Sequence, residues 1–198
     1  TRILHTNFRN TCAIHELAEK YRTLLGEGNF DTSNMPTAFR EGPVPELYQE
    51  ERIEDLRDTL ILKVKILTEK LSYDPENIAI LAPTNKELDI FKVKLEEAGF
   101  ASDNIRSDNF LFTQEKIIRL STLHSSKGLD FPVVLLYLPF LPPAGNYSES
   151  AVGKLFKNLI YVAMSRAMDN LNIFTLLHPK DEHIKELISV VRETEKSI

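Results

Sequence analysis

Three polar strings in this 198-residue chain combine residue types that hold phosphates or bases. Asn7-Phe8-Arg9-Asn10-Thr11 sets an arginine and a phenylalanine just ahead of a predicted helix. A helix N-terminus attracts anions, a guanidinium fork matches a phosphate, and a flat ring offers a base a stacking face. The same five residues also read as a helix cap at Asn10 or Thr11, with Phe8 in the core and Arg9 in solvent. The second string, residues 120–131, crowds Ser121, Thr122, His124, Ser125, Ser126, Lys127, Gly128 and Asp130 between two apolar runs. Hydroxyls, backbone N–H groups and lysine ligate phosphates, and histidine stacks on bases. The alternative is a surface loop whose hydroxyls satisfy their own turn. In the third string, residues 161–167, Arg166 falls three and four positions beyond Ala163 and Val162, near the apolar side of a predicted helix. An arginine there is paired, in a structural salt bridge or with a bound anion, because burying it alone is costly.

The elements that position these strings follow from periodicity. Residues 2–6 read as a strand ending in a turn at 7–10. Ile14, Leu17, Ala18, Tyr21, Leu24 and Leu25 mark a helix that Gly26 stops. Residues 27–46 read as loop with one short strand near 37–40. A long amphipathic helix is predicted over 50–71 on the stripe Ile53, Leu56, Leu60, Val64, Leu67 and Leu71. Residues 78–81 form a continuous apolar run, the pattern of a strand buried on both faces. Thr84 and Glu87 have capping-box spacing ahead of a helix carrying Leu88, Phe91, Leu95 and Ala98, which Gly99 ends. Further strands are predicted at 117–120, 133–136 and 171–176, with a helix over 152–168 that turns Leu155, Leu159, Val162 and Ala163 inward. A terminal helix carries Ile184, Leu187, Ile188 and Val191. Strands alternating with helices predict a single α/β domain, a mostly parallel sheet with helices on both faces. In such sheets ligands gather beyond the carboxyl ends of the strands, which makes the turns after strands the expected place for chemistry.

Composition narrows the class. A hydrophobic fraction of 42% and a charged fraction of 27% are those of a water-soluble globular chain. The single cysteine, Cys12, excludes an internal disulfide framework and suits a reducing cytoplasm. No apolar run nears the roughly 18 residues of a membrane span, so no membrane partner is expected. The start at Thr1 rather than Met suggests a piece of something longer. The net charge of −5, taken over the whole chain, argues against a nucleic-acid binder. Residues 113–180 nevertheless carry seven Lys/Arg against four acids, a mildly basic segment within an acidic body.

Taken together and in this order, the strings resemble the motor core of superfamily 1 DNA helicases of the UvrD/Rep type. NFRNT at 7–11 is similar to that family's motif IV, IRLSTLHSSKGLDFPVVLL at 118–136 to motif V, and LIYVAMSRAMDNL at 159–171 to motif VI. NIAILAPTN at 77–85 resembles the segment that follows motif IV. The resemblance implies a second RecA-like domain over residues 1–178 without a large insertion, followed by a C-terminal helix over 179–198. It implies that Arg9 and Arg166 reach the γ-phosphate of ATP and that Phe8 stacks on adenine. Gly128 and Asp130 would lie near the nucleotide, Asp130 at the ribose, and Thr122 and His124 would touch single-stranded DNA. The chain departs from the family in Phe8 for tyrosine, Asp130 for glutamate and Ser165 for threonine. The acidic and basic pairs common before motif VI are here Leu155-Phe156 and Lys157-Asn158. Only about thirty residues separate 77–85 from motif V, which leaves no room for the extra domain that larger relatives insert there.

A P-loop needs glycine, four residues, then Gly-Lys-Ser/Thr. The one Gly-Lys, Gly153-Lys154, is followed by Leu155 and has Ser148 where the first glycine belongs. The P-loop, and with it most of the hold on Mg²⁺, is therefore expected on an N-terminal RecA-like domain of the same protein, and this chain alone is expected not to hydrolyse ATP. Two readings follow: half of an ATP-driven DNA motor, or a helicase-derived module that only binds nucleic acid or protein. The pair Arg9 and Arg166 favours the first, since a binding module has no need of γ-phosphate contacts.

Overall fold

The computed structural model describes residues 6–23, 37–143 and 149–195. Among the described residues, eight strands and five α-helices follow one another as β1 (Thr6–Thr11), α1 (Cys12–Thr23), β2 (Thr37–Arg40), β3 (Glu46–Glu50), α2 (Ile53–Lys65), β4 (Ile78–Ala82), α3 (Asn85–Glu97), β5 (Ala101–Asn104), β6 (Ile117–Thr122), β7 (Phe131–Leu138), α4 (Glu149–Met164), β8 (Ala167–Leu176) and α5 (Glu182–Glu195). Six strands build one sheet in the order β3-β8-β7-β4-β6-β5, every pair parallel. β1 and β2 form a separate parallel pair that lies against the start of β8.

Side-chain alternation sorts the sheet into two faces. Ala79 and Leu81 of β4, with Val134, Leu136, Leu138, Leu171 and Ile173, pack under α1, α4 and α5. Their neighbours Ile78, Ile80 and Ala82, with Val133, Leu135 and Tyr137, pack under α2 and α3. All five residues of β4 are buried, as a strand covered on both faces requires. The terminal helix contributes Ile184, Leu187, Ile188 and Val191 to the same core as α1 and α4.

Several boundaries differ from the sequence reading. The predicted first strand at 2–6 falls outside the described residues but for Thr6, and the supposed turn at 7–10 is itself strand β1. Leu24, Leu25 and Gly26 also lie outside the described residues. The helix predicted over 50–71 is α-helical over Ile53–Lys65 and closes with a π-type turn at Ile66–Lys70. Leu56, Leu60, Val64 and Leu67 of its stripe are buried, whereas Leu71 is exposed. Two strands escaped prediction, β3 and β5, the short polar edges of the sheet. α4 ends at Met164 rather than 168, so Ser165 and Arg166 form a turn and β8 starts at Ala167. Thr84 caps α3 as predicted, its hydroxyl accepting from the Glu87 N–H. Glu87's carboxylate does not return to the cap. It takes a bidentate pair with Arg57 of α2, Nη2 to Oε1 at 2.8 Å and Nε to Oε2 at 3.1 Å.

Candidate functional site

Three strings far apart in sequence meet at one place. Arg9 projects from β1, Asp130 is the last residue before β7, and Arg166 is the last before β8. Asp130 gives one carboxylate oxygen to each arginine: Oδ2 lies 3.1 Å from Arg9 Nε and Oδ1 lies 3.4 Å from Arg166 Nη1. The main chain ties the same strands together, because the Phe131 N–H donates to the Arg166 carbonyl at 2.9 Å.

Arg166 is the inner member, its side chain 11% exposed against 48% for Arg9. Its Nε donates to the Val162 carbonyl at 3.0 Å, capping the last turn of α4. Nη1 donates to the Leu129 carbonyl at 3.1 Å, and Nη2 to Ser165 Oγ at 3.1 Å. Burial presses the Arg166 pKa down, Asp130 opposes that, and the charge of Arg9 adds to it. The guanidinium remains cationic because its ordinary pKa lies so high. Such an arginine is pre-aligned, with few rotamers left to lose when an anion arrives.

Sequence reasoning missed two partners of this site. Asn10, buried beside Arg9, donates to the carbonyls of Ser165 and Ala167 at 3.0 and 2.5 Å. Arg40 of β2 pairs with Asp169 at 2.7 Å and donates to the carbonyls of Arg9 and Met168 at 2.7 and 3.0 Å. These bonds stitch the β1–β2 pair onto the start of β8 and fix where Arg9 leaves its strand. A polar residue directly after Arg9 was the one local hint. Nothing local marks Arg40, whose use depends on β2 pairing with β1.

The remaining predicted residues lie elsewhere or outside the description. Thr122 ends β6 at the carboxyl edge of the sheet, opposite the Arg9–Asp130–Arg166 cluster. Its hydroxyl donates to Ser125 Oγ at 3.0 Å and accepts from the Ser125 N–H at 3.2 Å, so it closes its own turn. His124 is exposed on that turn. Gly128 holds φ +87°, a left-handed conformation that lets the chain swing toward Asp130. Residues 123–130 thereby run from the carboxyl edge of the sheet to its amino edge. The predicted residues divide between the two edges of the sheet: Thr122 and His124 lie at the carboxyl edge, whereas Asp130 and Arg166 immediately precede β7 and β8 and lie at their amino ends, where Arg9 reaches them from within β1. Phe8 lies on β1, but its side chain is outside the described residues.

Among the described residues no group of three metal-ligating side chains converges. The donor set at the arginine cluster suits an anion such as a terminal phosphate, and its one carboxylate is no cage for magnesium. No helix among the described residues is long and apolar enough to cross a membrane.

Comparison with known proteins bears on the family and the fold. Residues 106–178 match the sequence model of the UvrD-like helicase C-terminal domain. The match takes in the second and third strings and leaves Phe8 and Arg9 outside. No curated protein matches the chain. Among solved structures, the C-terminal domain of a possible DNA helicase from Lactobacillus plantarum WCFS1 superposes with a TM-score of 0.62 at 16% identity, covering 94% of this chain and 97% of that one. The C-terminal domain of the DEAD-box protein Dbp5 gives 0.46 at 14% identity over 78% and 86% of the two chains. Over residues 106–178 the chain is thus similar to the UvrD-like helicase C-terminal domain, and the sheet that bears this segment is parallel and RecA-like in fold.

Proposed function

We propose that this chain is the C-terminal motor domain of an ATP-dependent DNA helicase or translocase, completed by an N-terminal RecA-like domain that carries the P-loop. The single observation that supports this most is the convergence of Arg9 and Arg166 on Asp130 from strands that are not sequence neighbours. ATP supplies the phosphoryl group and the P-loop domain its magnesium. The residues of this chain provide cationic donors on the far side of the cleft, where charge builds on the transferring phosphoryl group. Arg166, already fixed by the Val162 and Leu129 carbonyls, acts as the finger, and Arg9 as the second, more exposed contact. Phe8 stacks on adenine and Asp130 reaches the ribose.

Thr122 and His124 form part of the single-stranded DNA track at the carboxyl edge. Residues 123–130 join that edge to the arginine cluster within eight positions. A shift of Asp130 on closure around ATP is thereby passed to the DNA-facing turn, and alternating closure becomes stepping.

The test is ATP hydrolysis with and without single-stranded DNA, by this chain alone and by the intact protein with its P-loop domain. Hydrolysis is expected only from the intact protein, and faster with DNA. An intact protein with no DNA-stimulated hydrolysis would leave a helicase-derived binding module and end the motor reading.

A further inference from the structure

We propose that Asp130 is a clasp: in the nucleotide-free domain it holds Arg9 and Arg166 together, and a polyphosphate must displace this one carboxylate to engage both arginines. The inference rests on the motor reading and adds a resting state to it.

The carboxylate is shared evenly, one oxygen per guanidinium, at 3.1 Å to Arg9 and 3.4 Å to Arg166. Two cations drawn onto one anion leave a local charge of one positive unit, where two free arginines would present two. Asp130 is a third exposed, so an incoming anion can reach the place it occupies. Arg166 keeps its position without Asp130, because Val162, Leu129 and Ser165 also hold its guanidinium. The exchange is therefore local. A phosphate oxygen replaces the carboxylate against a preset Arg166 and an adjustable Arg9, and Asp130 is freed to accept from a sugar hydroxyl. Among the described residues, the carboxylate paired with both Arg9 and Arg166 is that of Asp130, and nearby Asp169 is engaged by Arg40 at 2.7 Å. Substituting Asp130 thus removes the carboxylate the two arginines share.

The probe is inorganic tripolyphosphate, which carries the anion without base or ribose. Titrated into the chain at low salt, it is expected to bind Asp130→Asn about tenfold more tightly than wild type, as the loss of two exposed competing ion pairs allows. Adding Arg9→Gln to Asp130→Asn is expected to reverse most of that gain. A residue needed only for structure would give unchanged or weaker binding. Equal or weaker binding by a cooperatively folded Asp130→Asn overturns the clasp. Wild type supplies a second readout: the Nε–H NMR signals of Arg9 and Arg166 are expected to shift together on titration. Signals that stay in place while tripolyphosphate binds also overturn it. Either failure leaves the motor reading intact, because that reading rests on hydrolysis by the intact protein.

Discussion

Arg166→Ala in the intact protein is expected to lower DNA-stimulated kcat by about 10³ or more, the range in which removing an arginine finger slows phosphoryl transfer. The KM for ATP should rise by less than kcat falls, because the contact is made to the bound triphosphate and strengthens as charge develops on the phosphoryl group. Geometry explains why the inner arginine should matter more than the outer one. Arg166 is fixed through the Val162 and Leu129 carbonyls before any anion arrives, whereas Arg9 is half exposed. Arg166→Lys is expected to fail nearly as badly, since one ammonium cannot hold two carbonyls and a phosphate oxygen in a planar fork. Rapid single-turnover hydrolysis, with circular dichroism to show the fold intact, measures both variants. A kcat within a factor of about three of wild type would remove Arg166 from the chemistry, that being far below a finger's range.

The largest expected effect on stability lies on the opposite face, at the Arg57–Glu87 pair. Both side chains are nearly buried, 9% and 5% exposed, and the pair joins α2 to the first turn of α3. Burial by itself lowers the Arg57 pKa, but hydrogen bonds to Glu87 and Glu54 outweigh it and the net shift is upward. A raised folded pKa gives stability that is complete below the unfolded value, so Arg57 adds no pH dependence near neutrality. Arg57→Ala strands the Glu87 carboxylate and is expected to cost about 3–5 kcal/mol, a large share of a typical domain's total. Urea unfolding measures it. Arg57→Met with Glu87→Leu is expected to recover most of the loss, because two matched apolar groups need no partner. Recovery is the informative arm: a double variant no better than Arg57→Ala would mean the site tolerates no apolar replacement.

Legibility in the sequence tracked burial. β4, β7 and β8 show as apolar runs because helices cover them on both faces, and β6 shows through Ile117, Ile118 and Leu120, the last two packed in the core under α3. β3 and β5 carry ELYQE and ASDN, with no apolar pattern to announce a strand, because each closes an edge of the sheet. The overrun of α4 to residue 168 has the same kind of cause. Ala163, Met164, Ala167 and Met168 keep helical spacing and favour helix, and what stops the helix is tertiary: Phe131 claims the Arg166 carbonyl and pulls the chain into the sheet. The site residues were legible by type and by their order along the chain. Their meeting was not, since it depends on β1 lying against β8 through Asn10 and Arg40. Thr122 and His124 follow their strand, at the carboxyl edge where chemistry was expected, whereas Asp130 and Arg166 precede theirs and lie at the opposite edge.

The central claim is that this domain reads the γ-phosphate through Arg9 and Arg166. Equilibrium binding of a non-hydrolysable ATP analogue and of ADP to the intact protein, wild type beside Arg9→Gln/Arg166→Gln, tests it most directly. Wild type is predicted to prefer the triphosphate, and the double variant to lose that preference while holding ADP as before. A double variant that still favours the triphosphate to the same degree would contradict the account.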